Sequence, residues 1–199
     1  NAPEVININV PMLLDYVEQG LMLPITGQFD ERIYFERLLS SLQIENDIYG
    51  LPWYVAPSVV MKNRELFARA NVDINTPTQT LEQLIATATT IKQNTGVYGY
   101  YPNILAQALL YRFLEAGLPV LSENGFSAVF NSPQHEAFFA EQIRLLQQDI
   151  FPSEALLTGY GGAIERYQSG NLAMLITGPQ FLTRIGESAP QVYAATQVS

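Results

Sequence analysis

Aromatic side chains and short polar side chains stand together at several predicted turns of this 199-residue chain. A sugar presents apolar C–H faces edged by hydroxyl groups. A sugar site therefore needs flat rings for the faces, and amides, hydroxyls or backbone groups for the edges. We predict a ligand-binding set that consists of Trp53, Tyr54, Tyr101, Asn103, Tyr160, Gly178, Gln180 and Phe181.

The predicted positions of these residues support binding more than their types do. Trp53 and Tyr54 follow a turn, Tyr101 and Asn103 follow the end of a strand, and residues 178–181 form a strand-to-helix turn. Open α/β sheets bind ligands outside the carboxyl ends of their strands. We therefore expect exposed rings at Trp53 and Tyr101, although core packing is the alternative for each ring taken alone.

The residue types for nucleophilic or metal chemistry are scarce. Cysteine is absent, and His135 is the only histidine. One histidine provides no metal-binding pair, and no Gly-x-Ser-x-Gly turn presents a serine nucleophile. We expect His135 to be a solvated residue in the first turn of a helix. No catalytic residue, metal or cofactor is predicted.

Carboxylates are plentiful, and a glycosidase needs only two of them. Asp149, Glu154 and Glu165 fall on predicted helix faces or ends, where solvent exposure is the default. The glycine-rich run 159–162 lacks the Gly-Lys-Ser/Thr ending of a phosphate loop and is read as a loop or helix start. A carbohydrate-active hydrolase or lyase stays the alternative, and an unrelated interaction module is a third interpretation.

The charge of the chain limits its partners. Its net charge is −9, with only 10 lysines and arginines. Nucleic acid is therefore not expected, because binding to phosphates needs clustered cations. Direct membrane insertion is not expected either, because apolar runs such as 172–176 are far shorter than the roughly 20 residues that span a bilayer.

The first part of the chain predicts three elements. The Ile/Val-rich segment 5–10 indicates a strand, and a helix follows it and ends near Gly20. Segment 29–42 carries apolar residues at helical spacing, namely Ile33, Phe35, Leu38 and Leu39.

The later part of the chain alternates strands and helices. A buried strand at 55–61 precedes a helix capped by Asn63, and Thr80 with Gln83 forms a capping box for a helix that runs to about Lys92. Further elements are a strand at 96–101, a helix at 105–114, a helix from Pro133 with Phe139, Ile143 and Leu146 facing inward, and a buried strand through Met174.

Three sequence blocks carry a family resemblance. They are Gly20-Leu21-Met22-Leu23-Pro24-Ile25, the crossover Gly50-Leu51-Pro52-Trp53-Tyr54, and the run Ala163 to Leu182 with its Gly170 and Gly178. Their order resembles the extracellular solute-binding proteins of bacterial ABC sugar importers, the maltose-binding-protein-like family. The resemblance extends over essentially the entire chain.

The resemblance implies an α/β fold of the two-lobed periplasmic-binding-protein type II, with most of the second lobe and part of the first. Residues 1–53 would be a partial first lobe, residues 54–189 the second lobe, and residues 190–199 the return crossover. The chain would be a fragment of a periplasmic or extracellular protein, tethered in some complete forms as a lipoprotein. It would capture a carbohydrate between its lobes and deliver it to an ABC importer membrane permease.

Two positions depart from the family pattern. Some relatives carry an acidic residue just after the crossover aromatics, where this chain has Val55-Ala56-Pro57. Many relatives have tryptophan directly after the later Gly-Pro, where this chain has Gln180-Phe181. The identity of the ligand therefore does not carry over from the family.

Overall fold

The computed structural model describes residues 3–55, 57–106, 108–122 and 127–199. The chain divides into two compact units, Asn1–Ala56 and Pro57–Ser199. The predicted boundary between lobes follows Trp53, and the segment predicted as a return crossover, residues 190–199, belongs to the second unit. The assignment of the units to lobes stays a prediction.

Unit 1 contains short elements. Two 3₁₀ turns, Val10–Met12 and Glu31–Ile33, accompany helices α1 (Leu13–Glu18) and α2 (Glu36–Ser40), and strands β1 (Gln43–Ile44) and β2 (Asp47–Ile48) form an antiparallel pair. Its buried apolar side chains are Leu13, Leu39 and Ile48.

Two predictions for unit 1 are wrong. Segment 5–10 is exposed and forms no strand with any described residue, and Asn9 instead caps the 3₁₀ turn that follows it. Segment 29–42 is helical only in two short pieces. Leu39 is buried, but Ile33 and Phe35 are 72% and 80% exposed, so the first half of the segment has no buried face that would stabilise a longer helix.

Unit 2 is built on a four-stranded sheet in the order β4-β5-β3-β6. Its strands are β3 (Val59–Asn63), β4 (Tyr98–Tyr100), β5 (Leu172–Thr177) and β6 (Thr196–Val198). β4 and β5 are parallel, whereas β3 runs antiparallel to both β5 and β6. The predicted strands at 55–61 and 96–101 are therefore present in shorter or shifted form.

Seven helices are described in unit 2: α3 (Arg64–Arg69), α4 (Leu81–Thr95), α5 (Ala108–Glu115), α6 (Pro133–Gln147), α7 (Ala155–Gln168), α8 (Phe181–Ser188) and α9 (Pro190–Ala195). One core cluster joins α3, α4 and α6 to Ala173 and Met174 of β5. A second joins α7 and α8 to Leu172 and Leu175 of the same strand. The sheet is thus buried by helices on both faces, which explains the continuous apolar run in its sequence.

The predicted helix caps at Asn63 and Thr80 are confirmed. Asn63 Oδ1 accepts hydrogen bonds from the backbone N–H groups of Glu65 and Leu66, at 3.0 and 3.2 Å. At α4, Thr80 Oγ1 accepts from the Gln83 backbone N–H at 3.3 Å, and Gln83 Oε1 accepts from the Thr80 N–H at 3.3 Å. These bonds satisfy donors that have no partner inside the helix.

The predicted inward face of α6 is wrong at Phe139 and Ile143, which are 38% and 51% exposed. The helix buries His135, Gln142 and Leu145, while Ile143 is exposed. The sequence of α6 places apolar side chains on more than one face, so spacing alone does not select the face that packs.

His135 is buried, 1% exposed, and not solvated as predicted. Its Nε2 lies 3.1 Å from the Pro119 carbonyl oxygen, and its Nδ1 lies 2.8 Å from Ser132 Oγ. A carbonyl only accepts, so Nε2 carries a proton. The ring also packs edge-on against Phe113. Ser132 therefore bonds to this imidazole, and its side chain makes no capping hydrogen bond to α6.

Thr80→Ala should lower the free energy of unfolding by ~1 kcal/mol, because the Gln83 N–H loses its acceptor. Urea titration followed by far-ultraviolet circular dichroism measures the change. Thr90→Ala is the matched control, since Thr90 is exposed on the same helix and bonds only to the Ala86 carbonyl. An equal loss of stability in both variants would contradict the capping role.

Candidate functional site

Two adjoining pockets lie at the edge of the sheet where β4 and β5 end. Because these strands are parallel, their carboxyl ends meet at the same edge. The smaller pocket has a volume of about 230 Å³ and is lined by Ser58, Tyr100, Tyr101, Asn103, Arg112, Tyr160, Ala163, Leu175, Ile176, Thr177 and Gly178. Four of the eight predicted ligand residues, Tyr101, Asn103, Tyr160 and Gly178, thus meet in one place.

The larger pocket has a volume of about 770 Å³ and adjoins the smaller one. Its wall includes the start of β3, the loop 75–80 that leads into α4, and the end of α5. Ser58, Arg112 and Ile176 line both pockets. All lining residues of both pockets belong to unit 2.

A kink in α7 aims Tyr160 at the smaller pocket. Gly159 has φ 50° and ψ −135°, a conformation that residues with a Cβ rarely adopt. A Cβ at this position would also come within 3.2 Å of Asn103 Oδ1. The helix resumes at Tyr160, whose hydroxyl hydrogen-bonds to Thr177 Oγ1 at the end of β5. The predicted interpretation of the run 159–162 as a helix start is therefore close to the observed geometry.

The expectation that the Tyr101 ring is exposed is wrong, because only 3% of the residue is accessible. Thr158 Oγ1 donates to the Glu154 carbonyl, so the Tyr101 hydroxyl is the donor in its 2.5 Å hydrogen bond to Thr158 Oγ1. Burial raises the pKa of the Tyr101 hydroxyl. Tyr101 therefore forms a fixed wall of the smaller pocket, closely packed against Gly162.

The remaining predicted residues lie elsewhere. Phe181, the first residue of α8, is buried in the core, whereas Gln180 is exposed. Neither residue lines either pocket. Trp53 and Tyr54 belong to unit 1 and are exposed, Trp53 to 81%. A role in ligand contact stays a prediction for all eight residues.

Sequence reasoning missed two basic residues that line the pockets. Lys62 of β3 is buried, and its Nζ donates to the carbonyls of Ile74 and Thr76 at 3.2 and 2.9 Å. Desolvation lowers the pKa of Lys62, against an opposing attraction from Asp73. Arg112 pairs with Glu115 on α5. Two signals in the sequence could have indicated these residues. Lys62 is a charge inside an apolar strand, and Arg112 forms an Arg–Glu pair in an apolar helix.

The carboxylates considered for acid–base chemistry do not line either pocket. Asp149 pairs with Lys92 at 2.9 Å and accepts a hydrogen bond from the Tyr98 hydroxyl, and Glu154 pairs with Arg166. Burial and the hydrogen bond to Asp149 raise the pKa of the Tyr98 hydroxyl to about 12. Within the described residues, no group of three or more potential metal ligands is found, and no helix is long and apolar enough to cross a membrane.

The chain belongs to the bacterial extracellular solute-binding protein family, whose model matches residues 1–197. A Brucella abortus protein provisionally described as a binding protein is 24% identical over 195 residues, which are 93% of this chain and 46% of that protein. The chain spans about half the length of the curated relatives it matches.

Solved structures show the same fold. A protein from Synechococcus sp. MITs9220, provisionally described as an oligosaccharide periplasmic-binding protein, is 28% identical with a TM-score of 0.87, over 100% of this chain and 51% of that one. Maltose-bound MalE3 of T. maritima is 18% identical with a TM-score of 0.77, over 96% and 50%. The predicted α/β fold of type II periplasmic binding proteins is confirmed.

Gly162→Ala should lower the free energy of unfolding by about 1–3 kcal/mol, because the added methyl would overlap the Tyr101 hydroxyl and Thr158 Oγ1. Gly161→Ala is the control, since a Cβ there meets nothing within 4 Å and alanine favours a helix. Urea titration of both variants tests the packing. If both substitutions change the free energy of unfolding equally, Tyr101 is not closely packed against Gly162.

Proposed function

We propose that the protein is an extracytoplasmic solute-binding protein that captures a carbohydrate and delivers it to the permease of an ABC importer. The observation that carries the proposal is the smaller pocket at the carboxyl edge of β4 and β5. Its lining combines tyrosine rings with hydroxyl, amide and backbone groups, which is what a sugar ring needs. The proposal places the protein in the periplasm or outside the cell, with a lipid tether in the complete protein as one form.

Three polar groups carry the binding chemistry in the smaller pocket. Tyr160 is partly exposed, so its ring is available to cover a sugar C–H face. Asn103 offers an amide that both donates and accepts, and Gly178 contributes backbone groups of the strand end to the pocket wall. These residues are on unit 2 elements whose positions depend on the buried sheet.

In unit 1, the proposal assigns sugar contact to Trp53 and Tyr54. The support is that both rings are exposed although each is a large apolar surface. Covering an exposed indole with a sugar face is favourable, because it removes apolar surface from water. Gln180 and Phe181 line neither pocket, so the support for their contact with ligand is the sequence pattern alone.

An enzyme is the second candidate, and the geometry supports it less. The carboxylates that line the larger pocket are Glu82 and Glu115, and Glu115 is already paired with Arg112. A glycosidase needs one free carboxylic acid and one free carboxylate on opposite sides of the scissile bond. We therefore propose a binding protein without catalytic residues.

The test is a thermal-shift panel of neutral and acidic mono- and oligosaccharides against the protein. A ligand present at 100 times its dissociation constant should add about 2.7 kcal/mol to the free energy of unfolding, because it binds only the folded state. The same samples are incubated and analysed for sugar products by chromatography. Failure of every sugar to stabilise the protein would reject the proposal, and turnover of a bound sugar would favour the enzyme.

Trp53→Ala should weaken binding of the stabilising sugar by at least roughly tenfold, because burial of the indole against the sugar is worth on the order of 2 kcal/mol. The free energy of unfolding should change little, since the ring is exposed. Isothermal titration calorimetry measures the affinity. Val5→Ala, another exposed apolar residue of unit 1, is the control. Unchanged affinity in Trp53→Ala would remove Trp53 from the site.

A further inference from the structure

Tyr160 is held at both ends of its side chain. At the backbone end, the kink at Gly159, with φ 50° and ψ −135°, sets the direction in which the side chain leaves α7. At the ring end, the tyrosine hydroxyl hydrogen-bonds to Thr177 Oγ1. Because both ends are fixed, the two side-chain torsions have little freedom. The ring therefore has one orientation in the free protein.

The packing around the kink fixes the backbone end. A Cβ at Gly159 would lie 3.0 Å from Leu105 Cδ1 and 3.2 Å from Asn103 Oδ1, so the loop that follows β4 lies directly against this part of α7. Gly159 is itself buried, and Asn103 lines the smaller pocket. The side chain of Tyr160 thus begins at a point that is packed against the pocket wall.

Thr177 is a rigid partner for the tyrosine hydroxyl. It is the last residue of β5, and its neighbour across the sheet is Val59 of β3. A β-branched side chain has few χ1 rotamers, and only 4% of Thr177 is exposed. Tyr160, in contrast, is 41% exposed. The two partners differ in access to a ligand, because the tyrosine ring is available for contact and the threonine is covered.

The fixed orientation of the Tyr160 ring matters for affinity. A mobile ring must be immobilised when a ligand covers it, and immobilising one such side chain weakens binding by about two- to tenfold. A ring that is already fixed in the free protein avoids this loss. Since Thr177 is covered, its effect on a ligand is expected to pass through the ring that it holds.

We propose that Thr177 is a positioning residue of the smaller pocket, and that its hydroxyl fixes the Tyr160 ring in the orientation that contacts the ligand. The inference rests on the proposed function, because it assigns the ring to a sugar face. Thr177 is also part of the pocket lining, so direct contact between Thr177 and the ligand is the competing explanation.

A double-mutant cycle separates the two explanations. Isothermal titration calorimetry measures the affinity for the sugar that most stabilises the wild-type protein, in Thr177→Val, in Tyr160→Phe and in the double variant. Each single substitution removes the hydrogen bond with little change of shape and should weaken binding by about two- to tenfold. The double variant should bind no more weakly than the weaker single variant, because one bond is lost only once. A further loss from Thr177→Val in the Tyr160→Phe background would show direct contact and overturn the inference.

Two more variants test whether the hydroxyl and its location are responsible. Thr177→Ser keeps the hydroxyl and should restore the wild-type affinity. Thr196→Val is the matched control, since Thr196 Oγ1 pairs at 2.9 Å with the hydroxyl of Tyr167, also on α7, and neither residue lines a pocket. Its affinity should equal that of the wild type. An equal loss in Thr177→Val and Thr196→Val would attribute the effect to weaker packing of α7 and reject the positioning role.

A measurement without ligand separates this inference from the proposed function. In protein labelled with ¹³C at tyrosine Cζ, the signal that Tyr160→Phe removes belongs to Tyr160. This signal should shift in Thr177→Val and stay in place in Thr196→Val, because Cζ carries the hydroxyl oxygen. A signal that does not shift rejects the inference, whether or not a sugar binds.

The combined outcomes are distinct. A sugar that binds wild type and Thr177→Val equally would leave the proposed function standing and reject the role of Thr177. A shifted ¹³C signal in a protein that binds no sugar would reject the proposed function, and the positioning role with it.

Discussion

The burial of β5 on both of its faces is the constraint on which unit 2 depends. Leu172 and Leu175 belong to the core cluster of α7 and α8, whereas Ala173 and Met174 belong to the cluster of α3, α4 and α6. Successive side chains of a strand point to opposite faces, and Leu172, Ala173, Met174 and Leu175 are all buried. The same strand hydrogen-bonds to β4 on one edge and β3 on the other. Because both faces and both edges are occupied, β5 has little freedom to shift. Thr177 and Gly178 at its end are therefore held at the pocket.

Close backbone packing at two glycines positions the tyrosines that line the smaller pocket. A Cβ at Gly99 would overlap the backbone of Ala88, so glycine allows α4 to lie directly on β4. Tyr100 and Tyr101 follow immediately and are buried against the sheet. On the other side, the kink at Gly159 turns Tyr160 toward Thr177. Both glycines serve the same end, which is to bring aromatic side chains to the edge where the parallel strands finish.

The charged groups of unit 2 divide into two sets with different surroundings. On the surface, Lys92 and Arg166 lie over the Tyr98 ring and pair with Asp149 and Glu154, so their charges are mutually satisfied. At the pockets, Lys62 is satisfied by two carbonyls, whereas the buried Nε of Arg112 has no hydrogen-bond partner among the described residues. The two sets therefore differ in how their hydrogen bonds are satisfied, and not in the number of charges.

Sequence alone determined the features that depend on neighbouring residues: the caps at Asn63 and Thr80, the glycine turns, and the buried strand 172–177 with its following helix. Local backbone donors and apolar runs carry that information directly. The family resemblance added the fold class. Tertiary structure decided which side chains are covered. It buried His135, Tyr101 and Phe181, left segment 5–10 unpaired, and placed Arg112 between two pockets. Burial depends on contacts between residues far apart in the chain, such as Tyr101 with Thr158, and spacing within one helix or strand contains no record of them.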